Sequence, residues 1–308
     1  MPMTLAIISH ADCSAYDLGP HHPECPSRIS AISDQLIASG LDFLLQHHDA
    51  PLASNEQLRR VHDQDYIQQI FHQAPQDAQI WLDPDTPMTP QSLNAALRAA
   101  GAVVHGVDLV ISGKSSTAFC NVRPPGHHAE HNRAMGFCIF NNIAVGAAHA
   151  LHAHQLERVA IVDFDVHHGN GTEDIFKHDP QLLLCSSFQH PFYPNTGSET
   201  DNDNIITMPL SAGSDGTQFR SAWRDHGLPA LDKFKPELIL ISAGFDGHIE
   251  DDMANLKLTE ADYAWLTTEI KQTAGRHSQG RIVSSLEGGY ALSALGRSVS
   301  AHLRALLE

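Results

Sequence analysis

The segment Val159–Gly171, VAIVDFDVHHGNG, sets two carboxylates and two imidazoles directly behind a short apolar run. Val159–Val162 suits a buried strand. Such a strand, ending in Asp163, Asp165, His167 and His168, needs a partner for those groups, because burying unpaired charge is strongly unfavourable. Alternate side chains share a face in extended backbone. Asp165 and His167 therefore reach one cation together, with Asp163 on the same side and His168 pointing away. D-x-H alone reads more simply as a hydrogen-bonded Asp–His pair. Asp246, behind a glycine at the end of another apolar run (SAGFD, 242–246), moves the balance toward a metal. Three protein ligands with open positions describe a catalytic zinc site. Two carboxylates and one His also suit Fe(II), Co(II) or Mn(II).

Water on such a metal needs a base, and a departing amine needs a proton. His127 and His128 follow Pro124-Pro125-Gly126, a rigid turn that presents adjacent imidazoles. Asp163 and Asn170 are their expected partners. A carboxylate partner stabilises imidazolium more than an amide does, so the two pKa values should separate. A surface HH dipeptide describes His21-His22 and His47-His48 well and this pair poorly. Tyr290 follows Gly288-Gly289 and could donate to an oxyanion, although a buried structural Tyr at a turn fits GGY equally. In MGFCIFNN (135–142), Phe137 could wall a channel and the Gly136 carbonyl could accept from a substrate N–H. Tyr193, in PFYPNTG (191–197), could form the opposite wall; core packing is the even alternative for both aromatics.

The elements that must position these groups alternate. Strands are expected at 5–9, 117–121, 159–163, 182–187, 205–210, 238–242 and 281–286. Helices are expected from Ser27 with Ile29, Ile32, Leu36 and Ile37 inward, in short pieces over 54–71, from a Thr89-Pro90 start to Ile111, and at 141–155, 217–233, 259–274 and 292–306. The Pro-rich stretch 73–90 reads as a loop at the rim of a site. This order predicts one α/β domain over 1–308, a mostly parallel sheet covered on both faces. The polar clusters follow four strands, and ligands bind beyond the carboxyl ends of parallel strands.

The 308 residues carry 36 acidic against 19 basic side chains, a net charge of −17. That balance argues against direct nucleic-acid or anionic-membrane binding and favours cationic substrates. The five cysteines are odd in number and lack C-x-x-C, which fits a reducing cytoplasm. The N-terminal MPMTLAIISH lacks signal-peptide character, and no apolar run reaches membrane-spanning length. Nothing here speaks to self-association.

The segments HPECPSR (22–28), RPPGHHAE, GFCIFNN, VDFDVHHGNGT, SAGFD and EGGY together resemble the arginase/deacetylase superfamily, and within it the class II histone deacetylase-like amidohydrolases. The resemblance implies a three-layer α/β/α fold and a zinc deacetylase with Asp165, His167 and Asp246 as ligands. It implies His127 and His128 as acid–base pair backed by Asp163 and Asn170, Tyr290 as carbonyl polariser, and a substrate channel of Gly136, Phe137, Tyr193 and Met253. Arg28 would lie by an internal cavity. A structural potassium ion would sit near Asp163, Asp165, His167, Ser186 and Ser187, partly on main-chain oxygens. The family usually has Phe where Tyr193 stands. Arginases carry an Asp two residues after D-x-H, where this chain has Gly169, which favours one metal and an amide substrate over a ureohydrolase. The expected substrate is an acetylated lysine or another acetylated amine. An acetylpolyamine hydrolase is the nearest alternative, and a non-catalytic metal-binding or docking protein the more distant one.

Overall fold

The structure is a computed structural model and describes residues 4–200 and 202–308, so the first three residues of the N-terminal segment lie outside it. Eight strands form one wholly parallel sheet: β1 (Leu5–Ser9), β2 (Leu45–Asp49), β5 (Thr117–Cys120), β6 (Val159–Asp163), β7 (Leu182–Gln189), β8 (Ile205–Leu210), β9 (Leu238–Ala243) and β10 (Ile282–Leu286). Their spatial order is β2-β1-β5-β10-β9-β6-β7-β8. A small antiparallel hairpin, β3 (Ile80–Asp83) and β4 (Thr86–Met88), stands apart.

The sheet divides two apolar cores by simple alternation. Val159 and Ile161 of β6, and Leu238 and Leu240 of β9, face one core. Ala160, Val162, Ile239 and Ile241 face the other. The first core is covered by α5 (Ser92–Ile111) and α6 (Asn142–His154). The second lies under α2 (Ser27–Ala38), α9 (Leu228–Phe234), α10 (Glu260–His277) and α11 (Leu292–Leu307). Both faces are sealed, which is why the central strands read as continuous apolar runs. The shorter α1 (Ala11–Ala15), α3 (Asn55–Leu58), α4 (Gln64–Gln73), α7 (Asn170–Phe176) and α8 (Gly216–Ala222) complete the chain, with a π-helical turn at Trp223–Gly227 joining α8 to α9.

Four expectations are corrected. Ile37 is 59% exposed rather than inward, because α2 buries only the stripe of Ile29, Ile32 and Leu36. The helix after Thr89-Pro90 begins at Ser92; the Thr89 N–H donates to Ser92 Oγ at 2.8 Å, making a turn first. The stretch 73–90 is not all loop, since it holds the end of α4 and the β3–β4 hairpin. Finally, α5 is long and apolar enough to cross a membrane by length and composition, yet 72% of that window is buried inside the fold.

Candidate active site

The loops after β5, β6, β9 and β10 converge at the carboxyl edge of the sheet. Asp165 and His167 leave β6 in the alternating register, and Asp246 follows β9. His167 Nδ1 lies 3.0 Å from Asp165 Oδ1 and 3.3 Å from Asp246 Oδ2. One donor atom from each of the three falls within 4.8 Å of the others, and all three residues are buried. The backbone holds the carboxylates in place. Val166 N–H donates to Asp246 Oδ1 at 3.0 Å, and Gly288 N–H donates to Asp165 Oδ2 at 2.8 Å. Gly288 must be glycine, because a Cβ there would lie 2.0 Å from Asp246 Oδ2.

The residues present fit a divalent cation. Asp246 Oδ2 is buried and has no hydrogen-bond partner within the protein. Burial and the neighbouring Asp165 push the Asp246 carboxyl up to about 6. Burial opposes charge on His167 most strongly, yet Asp165 and Asp246 lift its pKa to about 10. Two buried carboxylates around one imidazole thus call for positive charge at this point. At Gly169, two residues beyond His167, a Cβ would lie 2.3 Å from Asp163 Oδ2, so this position offers no further side-chain ligand.

His127 and His128 sit beside this cluster, their rings 4.0 Å apart between centroids. His127 Nδ1 meets Asp163 Oδ2 at 2.9 Å, and His128 Nδ1 meets Asn170 Oδ1 at 2.8 Å. The two rings are driven apart electrostatically. Burial works hardest against charge on His127, but Asp163 and Asp165 raise it to about 10. Burial, followed by the neighbouring His127, lowers His128 well below the usual imidazole range. The pair therefore offers one cationic and one neutral ring.

A pocket of about 210 Å³ opens onto these groups, lined among others by Gly136, Phe137, Tyr193, Met253 and Tyr290. Phe137 reaches it from a two-residue turn with Gly136 and Phe137 both left-handed, at φ 59° and 66°. That turn is closed by Met135 and Cys138 and pinned from the hairpin, where Asp85 Oδ1 accepts Gly136 N–H at 2.9 Å and Thr86 Oγ1 accepts Phe137 N–H at 3.1 Å. Phe192 stacks on His167 with centroids 5.4 Å apart and lines the pocket too. Burial raises the Tyr290 pKa well above the phenol range, so the hydroxyl stays a donor. Arg28 is fully buried; its guanidinium lies 4.8 Å from the Tyr290 ring centroid, and its Nε donates to Gly289 O at 2.7 Å.

Sequence reasoning missed three residues of this site. Asp85 lies inside a Pro-rich stretch with no motif of its own, and Phe192 sits beside the more conspicuous Tyr193. Glu287 belongs to EGGY but carries no local sign of its role. It is fully buried, accepts Gly126 N–H at 2.6 Å and His127 N–H at 3.2 Å, and so holds the turn that carries the His pair. Ser186 and Ser187 are buried, but their hydroxyls are engaged elsewhere: Ser186 Oγ lies 3.5 Å from His168 Nδ1, and Ser187 Oγ accepts Trp223 Nε1–H at 3.1 Å. His168 turns away from the cluster to Glu173 at 2.6 Å, as the alternation requires.

Among the described residues, one further group has metal-like composition: Asp108, His149 and His154 on α5 and α6. Arg60 Nη1 stands 3.0 Å from His149 Nδ1, which makes that nitrogen an acceptor. His149 Nε2 therefore carries a proton and donates to Asp108 at 2.9 Å. The group reads as a hydrogen-bonded cluster and not as a ligand set.

The histone deacetylase domain family matches residues 22–306. The chain belongs to the histone deacetylase family. Histone deacetylase 14, chloroplastic, of Arabidopsis thaliana is 37% identical over 93% of this chain and 73% of its own length. The histone deacetylase-like amidohydrolase of Pseudomonas aeruginosa is 36% identical over 87% of this chain and 72% of its own length. The crystal structure of the HDA15 HD domain superposes with a TM-score of 0.93 at 30% identity, covering 99% of this chain and 88% of that one. The three-layer parallel fold is thus the deacetylase fold, and the chain is a hydrolase of acetylated amides.

Proposed function

We propose that this protein removes acetyl groups from lysine side chains of proteins or peptides, using one zinc ion held by Asp165, His167 and Asp246. What supports this most is the orphaned Asp246 Oδ2 beside His167 and Asp165, two residues that line the pocket. Zinc in that position supplies a Lewis acid for the amide carbonyl and acidifies water.

The chain's own groups do the rest. The pocket walls, Phe137 and Tyr193, grip an apolar lysine stem, and the Gly136 carbonyl accepts a substrate N–H. Met253 closes the pocket from the loop after Asp246. His128, neutral and with Nδ1 occupied by Asn170, takes a proton from water on Nε2. Tyr290 donates its phenolic hydrogen to the oxygen that develops negative charge. His127, held cationic by Asp163, adds positive charge beside that oxygen, and the His pair returns a proton to the departing amine. Arg28 supports the Tyr290 ring from behind. A monovalent cation, potassium by resemblance, is proposed beside Asp163, Asp165, His167, Ser186 and Ser187. With both serine hydroxyls engaged, it would rely on main-chain oxygens there.

A second substrate class is favoured by one observation. Asp85 lines the pocket, Asp83 stands close by on the same hairpin, and the whole chain carries −17, which suits an acetylated polyamine with a cationic tail. Comparing kcat/KM on an acetyl-lysine peptide with that on acetylputrescine and acetylspermidine separates the two. A preference for the peptide supports the first reading, and a preference for the polyamines replaces it with the second.

A further inference from the structure

Deprotonating water requires that His128 present a lone pair, and the ring does so only when its proton sits on Nδ1. Which nitrogen carries that proton depends on Asn170, an amide that can face His128 with either its oxygen or its NH2. With the NH2 toward the ring, Nδ1 would have to accept, Nε2 would hold the proton, and His128 could not act as base.

The surroundings of Asn170 decide the matter. Its Nδ2 lies 2.9 Å from Glu130 Oε1 and 3.2 Å from Met135 Sδ, with the His128 carbonyl farther off at 3.5 Å. The carboxylate is the strong acceptor of this group. It therefore draws the NH2 toward itself and leaves Oδ1 aimed at His128 Nδ1, at 2.8 Å. Glu130 is fixed in turn: Arg133 Nη2 donates to the same Oε1 at 2.8 Å, and Glu130 N–H donates to the Arg133 carbonyl at 2.9 Å. Its side chain is 21% exposed, at the edge of the site rather than in the core.

We propose that Glu130 is a positioning residue for the hydrolysis proposed above: it sets the orientation of the Asn170 amide and thereby the tautomer of His128. Glu130 lines neither the pocket nor the Asp165–His167–Asp246 cluster. It acts on the proton-transfer step and leaves ligand binding alone.

Two readouts test this on the full chain loaded with zinc. The first is the nitrogen-15 imidazole spectrum of His128, which needs no turnover. Wild type should show the Nδ1–H form, and Glu130→Ala should populate Nε2–H; an unchanged His128 signature in Glu130→Ala overturns the proposal. The second is kinetic. Glu130→Ala should lower kcat about tenfold or more, with KM and zinc content unchanged. Glu130→Gln, whose carbonyl can still accept from Asn170 and Arg133, should restore most of the rate. In Asn170→Asp, which has no amide to turn over, adding Glu130→Ala should cost no further rate. A Glu130→Ala enzyme with wild-type kcat, a Glu130→Gln variant as slow as Glu130→Ala, or an undiminished loss in the Asn170→Asp background each overturns it. A wild type inert toward acetylated amines refutes the deacetylase reading instead, while the His128 spectrum still decides the role of Glu130.

Discussion

Tyr290 brings one hydroxyl and no charge to a site crowded with carboxylates. Burial pushes its pKa upward, with Asp246 and Asp165 adding to that effect and Arg28 opposing it, so the phenol keeps its proton. A neutral donor aimed at a developing oxyanion contributes little to substrate binding and much to the barrier. Tyr290→Phe should therefore lower kcat at least ~100-fold, with a small change in KM. Steady-state kinetics on an acetyl-lysine peptide check this, and near-normal turnover in the variant removes Tyr290 from the mechanism. The same economy separates the two histidines: His127 faces a carboxylate and is held cationic, whereas His128 faces an amide and stays neutral.

Elements place these side chains by ending together. Strands β6, β9, β10 and β5 are neighbours in the sheet's centre, so their following loops must meet. That much was legible: β1, β6 and β8 appear at the expected bounds, because each is a short apolar run between polar turns. Strand β2 was not legible. It is an edge strand of sequence LQHHD with only Leu45 buried, and it needs no apolar run to pair with β1. The β3–β4 hairpin was hidden by Pro84 and Pro87, which mark a loop in any local reading, and with it went Asp85. The roles of Glu130 and Glu287 depend on contacts across 40 and 161 positions of chain, which no local pattern displays. One buried residue ties three elements on the opposite face: His302 of α11 meets Thr267 of α10 at 2.6 Å and Ser284 of β10 at 3.0 Å. Burial lowers its pKa to about 3. The unfolded state, with a pKa near 6.5, binds the extra proton first, so this contribution is complete above that pH and shrinks as pH falls toward 3. The stability advantage of wild type over His302→Gln should thus decline by about 1.4 kcal/mol per pH unit below ~6.5. Denaturant unfolding of both proteins at pH 7.5 and 5.5 measures it, and a constant difference contradicts the assignment.

The net charge of −17 attracts cations to the molecule as a whole, and a cationic substrate is expected to feel that field on approach. For acetylspermidine, kcat/KM should fall severalfold between roughly 0.02 and 0.2 M salt, as screening shortens the reach of that field. For a neutral acetyl-lysine amide the change should be slight. Equal salt dependence for both would mean that overall charge plays no part in substrate capture.

Asp165, His167 and Asp246, all buried, are proposed to hold one catalytic cation where the sealed parallel sheet opens. Acetate release from an acetyl-lysine peptide, measured per mole of bound zinc for wild type and Asp246→Ala in the same zinc-buffered solution, tests it most directly. The expected result is one zinc ion per wild-type chain with steady acetate release, and loss of both in the variant. A wild-type chain that carries its zinc and releases no acetate, or an Asp246→Ala chain that matches wild type, would contradict the account.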